Sequence, residues 1–400
     1  MSLLSFRMKL ASGMSVSSVP PCRSRIGLAA LCLALLAGCA GDAPLRDAMP
    51  PRPADARAQI ANLLPANTPD RAGWAADIYA ALAALEIAPS AVNICAVLAV
   101  TEQESSYRAD PAVPRLGQIA WTEIDRRAER LGIPAAAVRL ALKLPSSNGK
   151  SYAERIDAAN TEKELSLIFE DLIDRVPLGK RLFASWNPVR TGGPMQVSIA
   201  FAEHHAKERA YPYPVTDSIR HEVFSRRGGL YFGIAHLLDY PASYDRPLYR
   251  FADFNAGRYA SRNAAFQNAV SIASGIPLEL DGDLVRPGDE DPSKLGSTEL
   301  ALRSIAKRLD LGNAAIRQAL EQGDSAAFER STLYQRVFEL AERLDRQPVP
   351  RAVLPRIALA SPKITRKLTT EWFANRVDER HRKCLARAAT PTAPERIQPP

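Results

Sequence analysis

The sequence is poor in the residues that most enzyme chemistries need. Histidine occurs five times in 400 residues, as His204, His205, His221, His236 and His381. Glu203-His204-His205 lacks the i, i+4 histidine pair of a helical zinc protease, so neither a metal site nor a cofactor is expected. No Gly-x-x-x-x-Gly-Lys-Ser/Thr phosphate loop and no Gly-x-Ser-x-Gly elbow is present, which argues against nucleotide hydrolysis and serine hydrolase chemistry. Aromatic residues are sparse at 7%. No Lys/Arg stripe alternates with them, so nucleic acid is not an expected partner. Runs of alternating hydrophobicity are missing, nothing repeats at a fixed period, and the expected fold class is mainly α.

Cysteine is scarce too, and its positions are informative. Of five cysteines, Cys22 and Cys32 fall in an amino-terminal segment that reads as a secretion signal. Arg7, Lys9, Arg23 and Arg25 precede a short apolar run from Ile26 to Ala37, too short to span a bilayer comfortably. The run ends in Leu36-Ala37-Gly38-Cys39, which resembles the lipobox of bacterial lipoproteins. That resemblance implies cleavage before Cys39, acyl chains on its thiol, and a membrane anchor. Ala40 follows the cysteine where an aspartate would imply retention at the inner membrane, so the resemblance implies the outer membrane, facing the periplasm. Formal charge is 52 − 44 = +8 for the whole chain and 48 − 44 = +4 once the four signal cations are removed. Cys95 and Cys384 remain. In an oxidising compartment they are either a disulfide or, for Cys95, a buried thiol serving as a small apolar side chain.

From residue 39 to 68 the chain is rich in Pro, Ala and charge, and its first half reads as a tether. Trp74, Ile78, Leu82 and Leu85 then recur at helical spacing, with a break at Pro89. Ser90 is the expected N-cap of a helix through Asn93–Tyr107, NICAVLAVTEQESSY. Its body is apolar and its last turn carries Glu102, Glu104 and Ser105. A carboxylate held against apolar walls has its charged form disfavoured, which suits it to donate a proton. The two glutamates lie two residues apart and point to different faces.

Residues 108–192 form a further block of helical patterns. Thr191-Gly-Gly-Pro-Met-Gln-Val197 opens another helix, and Ser225–Tyr240 is amphipathic after paired glycines. Leu248–Tyr259 holds Phe254-Asn-Ala-Gly257. Asp281–Lys294 reads as a linker, and 295–400 as a helical carboxy-terminal region ending in a helix over Thr370–Ala386. The basic run Arg376–Lys383 reads as a solvated helix face.

Three short stretches belong together: Glu104-Ser105, Gly193-Pro-Met-Gln-Val197 and Phe254-Asn-Ala-Gly257. In this order the chain resembles the lysozyme-like lytic transglycosylases, which cut peptidoglycan. It also resembles an uncharacterised group of Gram-negative lipoproteins. The transglycosylase resemblance covers roughly 90–276 and implies a lysozyme-like domain over 69–280, with 108–192 inserted into it. It implies that Glu104 is the acid/base and that no second carboxylate is needed. Ser105, Met195, Gln196 and Asn255 would meet substrate, with Tyr231 a further aromatic at the cleft. Two positions depart from the family pattern: Pro194 stands for its usual Leu, and Phe254 for its Tyr. The other reading is an inactive peptidoglycan-binding or scaffolding lipoprotein. An envelope protein partner docked on the inserted block or the carboxy-terminal helices is a third.

Overall fold

The computed structural model describes residues 52–285, 295–359 and 368–390. The signal, the lipobox and Cys39 lie outside the described residues. The architecture is mainly α, as the missing strand patterns imply.

The first helix, α1 (Pro53–Leu63), falls inside the segment expected as tether. It starts on a proline at its first helical position, where the missing N–H costs nothing. Ala56, Ile60 and Leu63 bury one face against α2 (Arg71–Ala84), so the tether is shorter than the composition suggests. Asp70 caps α2 by accepting from the Gly73 amide at 3.1 Å. Ser90 caps α3 (Ala91–Ser105) through the Asn93 amide at 3.2 Å, as expected. Residues 94–101 of α3 are buried without a break, so the helix is enclosed on all sides rather than amphipathic.

The inserted block comprises α4 (Leu116–Arg130), α5 (Ala135–Ala141), α6 (Tyr152–Ala158), α7 (Glu162–Asp174) and α8 (Gly179–Phe183). Capping boxes at Ser151/Glu154 and Thr161/Glu164 start α6 and α7. A minimal hairpin follows, β1 (Thr191–Gly192) paired antiparallel with β2 (Val197–Ser198). Then come α9 (Ile199–Glu208), α10 (Ile219–Val223), α11 (Arg226–Leu238), α12 (Pro247–Ala256) and α13 (Ala260–Ser274).

Two hydrophobic cores result. The larger gathers α1–α3, α9–α12 and the inner faces of the inserted block. The smaller packs α13 against α14 (Ser297–Ser304), α15 (Ala306–Leu309), α16 (Asn313–Leu320) and α17 (Thr332–Asp345). Leu284 is buried in this second core and Asp281 accepts from Gln267 at 2.7 Å, so the start of the expected linker is packed. The second core also holds two buried charges. Arg262 donates to the Gly323 and Ser325 carbonyls, and Glu299 is bound by Arg303 and Arg317.

The last described element reverses direction. After a second small hairpin, β3 (Ala358–Leu359) with β4 (Leu368–Thr369), the chain enters α18 (Thr370–Ala389). This helix leaves the second core and packs between α3 and α12 in the first. Cys384 is joined to Cys95 of α3 across 289 residues of chain. The run 376–383 is therefore a packed surface and not merely solvated. Val377 and His381 are buried, and Arg380 pairs with Glu102 of α3 at 3.2 Å. All of these contacts fall within Pro51–Pro400, which forms one compact unit.

A cross-link over so long a loop restricts the unfolded chain strongly. Cys384→Ala should lower the stability of the unit by about 2–5 kcal/mol, read as a fall in the urea midpoint under non-reducing conditions.

Candidate functional site

The site is built around α11. Glycine in a helix interior costs about 1 kcal/mol relative to alanine, so Gly229 and Gly233 need a reason. A Cβ on Gly229 would lie 2.4 Å from Pro194 Cδ and 2.7 Å from the Val223 carbonyl oxygen. One on Gly233 would lie 2.5 Å from Met195 Sδ. The two bare positions, four apart on one face, let the Gly-Pro-Met-Gln turn rest directly on the helix backbone. The turn itself is fixed. Gln196 takes a left-handed conformation (φ 49°), and its side-chain amide donates to the Gly193 carbonyl at 3.3 Å.

His236 lies three residues beyond Gly233, on the same side of α11 and about 4.5 Å further along. Its ring is 5.2 Å from that of Phe254 and 4.7 Å from that of Phe201. Burial carries its pKa down to about 4, so the ring is neutral. Its Nε2 is 3.3 Å from the Phe254 carbonyl oxygen and donates to it, leaving Nδ1 as an acceptor. Arg258 then closes the end of α11, donating to the Ala235 carbonyl at 2.6 Å and the His236 carbonyl at 3.3 Å. A cation on the last carbonyls of a helix opposes the negative end of its dipole. The second and third motifs thus sit side by side on one helix face.

Asp253 shapes the turn after α12. It is fully buried and accepts from the Tyr240 and Tyr244 hydroxyls (3.0 and 2.6 Å) and the Tyr259 and Ser261 amides (3.0 and 2.7 Å). Burial pushes its pKa up despite these donors. Asn255 accepts from the Thr370 hydroxyl at 2.9 Å, which ties the third motif to the start of α18.

The first motif lies on α3, which packs on both α11 and α18. Glu102 faces α18 and is bound by Arg380. Glu104, two residues on, leaves the helix on a different side and is half-buried. Ser106 and Tyr107, both left-handed, turn the chain away immediately after it.

Three expected roles are corrected. The Ser105 hydroxyl donates to the Thr101 carbonyl at 3.0 Å, back along its own helix, and the side chain is buried. Met195 is fully buried because α11 roofs it, which leaves Gln196 as the partly exposed member of its turn. Tyr231 is fully buried, its hydroxyl 3.4 Å from His205 Nε2 and its ring packed on Tyr211 and Phe232. It precedes Gly233 by two residues, so it projects from the opposite side of α11.

His236, Arg258 and Asp253 escaped the sequence reading. A histidine three residues after a helical glycine, and an acid inside Phe251-Ala-Asp-Phe254, are the only traces they leave. Of the buried side-chain atoms without a hydrogen-bond partner among the described residues, two acceptors lie on the helices of this site, Gln103 Oε1 on α3 and His236 Nδ1 on α11. Such atoms cost about 1–3 kcal/mol each. No group of three or more His, Cys, Asp or Glu side chains among the described residues could hold a metal ion.

A family model described as protein of unknown function (DUF1615) matches residues 67–387. The chain belongs to this family. The match takes in all three motifs, the inserted block, the second core, the first core apart from α1 and Leu64, and α18 through the disulfide. The chain is also 56% identical to Uncharacterized protein YaiW of Escherichia coli (strain K12) over 358 residues, 90% of this chain and 97% of that one. No solved structure matches the chain.

Two measurements probe this geometry. Gly229→Val forces branched atoms into the Val223 carbonyl and Pro194, and should cost about 1–3 kcal/mol in chemical denaturation. His236 has a depressed pKa, so the unfolded chain takes up its proton first on acidification. Its share of stability is present above about pH 6.5 and is lost between there and about pH 4. The stability of wild type relative to His236→Gln should therefore fall across that window, as followed by urea midpoints at successive pH values.

Proposed function

We propose that this protein is an envelope lipoprotein, held by acyl chains on Cys39 at the periplasmic face of the outer membrane. In this reading it cleaves or remodels peptidoglycan glycan strands in the manner of a lytic transglycosylase. The supporting observation is that the second and third motifs lie along one face of α11, and that α3, the helix carrying Glu104, packs on that same helix.

Glu104 is the acid and then the base. It gives its proton to the glycosidic oxygen between N-acetylmuramic acid and N-acetylglucosamine as that C–O bond breaks. The resulting carboxylate takes the proton of the muramyl 6-hydroxyl, whose oxygen bonds to the anomeric carbon of the same sugar. The product is a 1,6-anhydro sugar, and Glu104 ends protonated as it began. Attack from within one ring has a high effective concentration, so a second carboxylate is not required. Glu102 is unsuited to the role because Arg380 holds it. Gln196 and Asn255 carry the amides that would meet hydroxyl and N-acetyl groups.

The second reading is a peptidoglycan-binding protein without turnover. It is favoured by Phe254, which lacks the hydroxyl of the family tyrosine, and by Ser105, whose hydroxyl is committed to Thr101.

Purified protein incubated with isolated sacculi separates the two. The enzyme releases anhydromuramyl products, and Glu104→Gln lowers release at least a hundredfold while the protein still pellets with sacculi. Pelleting without any soluble product would leave only the binder, and failure to pellet or release would remove both.

A further inference from the structure

A cleft of about 890 Å³ opens where the first turns of α3 and α12 meet α18. Its volume falls within the range of ordinary small-ligand sites. It lies away from the proposed acid. Asn93 lines it, and Glu104 follows three helical turns later, about 16 Å along α3. Val97 and Val100, fully buried between them, close the direct path along that helix. Ile87, Ala96, Leu238 and Phe251 give the cleft an apolar part.

Several of its polar lining groups are already engaged. Tyr244 donates to Asp253 at 2.6 Å, Arg250 to the Tyr240 carbonyl at 3.2 Å, and Arg382 pairs with Asp378 at 3.0 Å. The groups left unmet are of a particular kind. His381 is only 2% exposed, and burial holds its pKa below the ordinary value, so the ring is neutral. Its Nε2 donates to the Val92 carbonyl at 3.1 Å, which leaves Nδ1 as an acceptor with no partner among the described residues. The Asn375 amide is exposed and equally unengaged. Asp245 and Arg246, adjacent on the rim, are exposed and make no ion pair or hydrogen bond among the described residues. Arg246 also stands at the amino end of α12, which no side chain caps, so the helix dipole adds to its pull on a carboxylate.

We propose that this cleft binds a short zwitterionic peptide, one that carries both a free carboxylate and a free ammonium. The carboxylate meets Arg246 and the ammonium meets Asp245. A peptide N–H donates to His381 Nδ1, and the Asn375 amide meets a peptide carbonyl. A ligand with charge of one sign alone would leave one of the two rim groups facing its own kind. The apolar walls take the methyl and methylene groups of the peptide. Resting on the function proposed above, the peptide is the stem of peptidoglycan, whose diamino acid bears an ammonium and a carboxylate together. A stem held here fixes the sacculus at a second point while Glu104 stays free, and two linked contacts hold more tightly than either alone.

Isothermal titration calorimetry on the purified protein tests this, with N-acetyl-L-Ala-γ-D-Glu-meso-diaminopimelate as the probe. The acetyl group leaves the diamino acid as the one source of ammonium. Saturable binding is expected, with a Kd between about 10 μM and 1 mM. Acetylating the remaining amine, or amidating the carboxylates, should each weaken binding about tenfold or more. Arg246→Glu and Asp245→Lys should do the same. Both side chains are exposed, so these variants should keep the wild-type melting curve. No saturable heat with the wild-type protein, or unchanged affinity in either folded charge reversal, overturns the site. Equal affinity for the peptide with its amine blocked overturns the zwitterion. Anhydromuramyl release from sacculi without peptide binding removes this site alone. Peptide binding without pelleting or release removes the peptidoglycan reading and leaves a free peptide as the ligand.

Discussion

The contact on which the candidate site depends is the close approach of a turn to a helix backbone. Pro194 and Met195 lie on α11 at the two places where it carries no Cβ. The approach has a local cost, since two glycines weaken the helix that holds them. It is offset by burial of Met195 and by the Arg258 guanidinium on the final carbonyls of α11. With the turn on one part of the helix face and Phe254 on the next, the relative positions of two motifs follow from one surface. The first motif follows from α3, which touches that same helix.

A second constraint acts from the far end of the chain. α18 is the last helix in sequence, yet it fills the space between α3 and α12 in the first core. Its attachment is threefold: the Cys95–Cys384 bond, the Arg380–Glu102 pair and the Thr370–Asn255 hydrogen bond. The first two lie on α3 and the third on the end of α12. A displacement of α18 would therefore be felt by two of the three motifs together. The second core, by contrast, is joined to the first through α13, which packs on α12.

Much of the helix content was legible because apolar spacing and caps agree. Ser90, Asp70 and Ser225 are N-caps in the structure, and each is followed by the expected periodic pattern. The Pro53–Leu63 helix was hidden because proline at a first helical position looks like any other loop proline. The role of 376–383 was hidden because a charged run gives no sign of a partner almost three hundred residues away. At the site, order along the chain carried the three motifs but not the orientation of their side chains. Met195 and Tyr231 look like cleft residues in one dimension. Only the helix that covers the first, and the half-turn that separates the second from Gly233, put both in the core. Asp253 and Arg258 have no local signature, since their partners are carbonyls, amides and hydroxyls brought in by the fold.

The placement of α18 bears on the order in which the molecule can be completed. A chain made amino end first exposes α3, with its unbroken apolar run 94–100, long before the residues that cover it exist. Until the final twenty or so residues of the described fold arrive, one flank of that helix has nothing to lie against. The first core is thus the earliest to be written and the last to be closed, and a nascent chain must keep a helix with a long apolar body out of trouble for almost the whole of its synthesis.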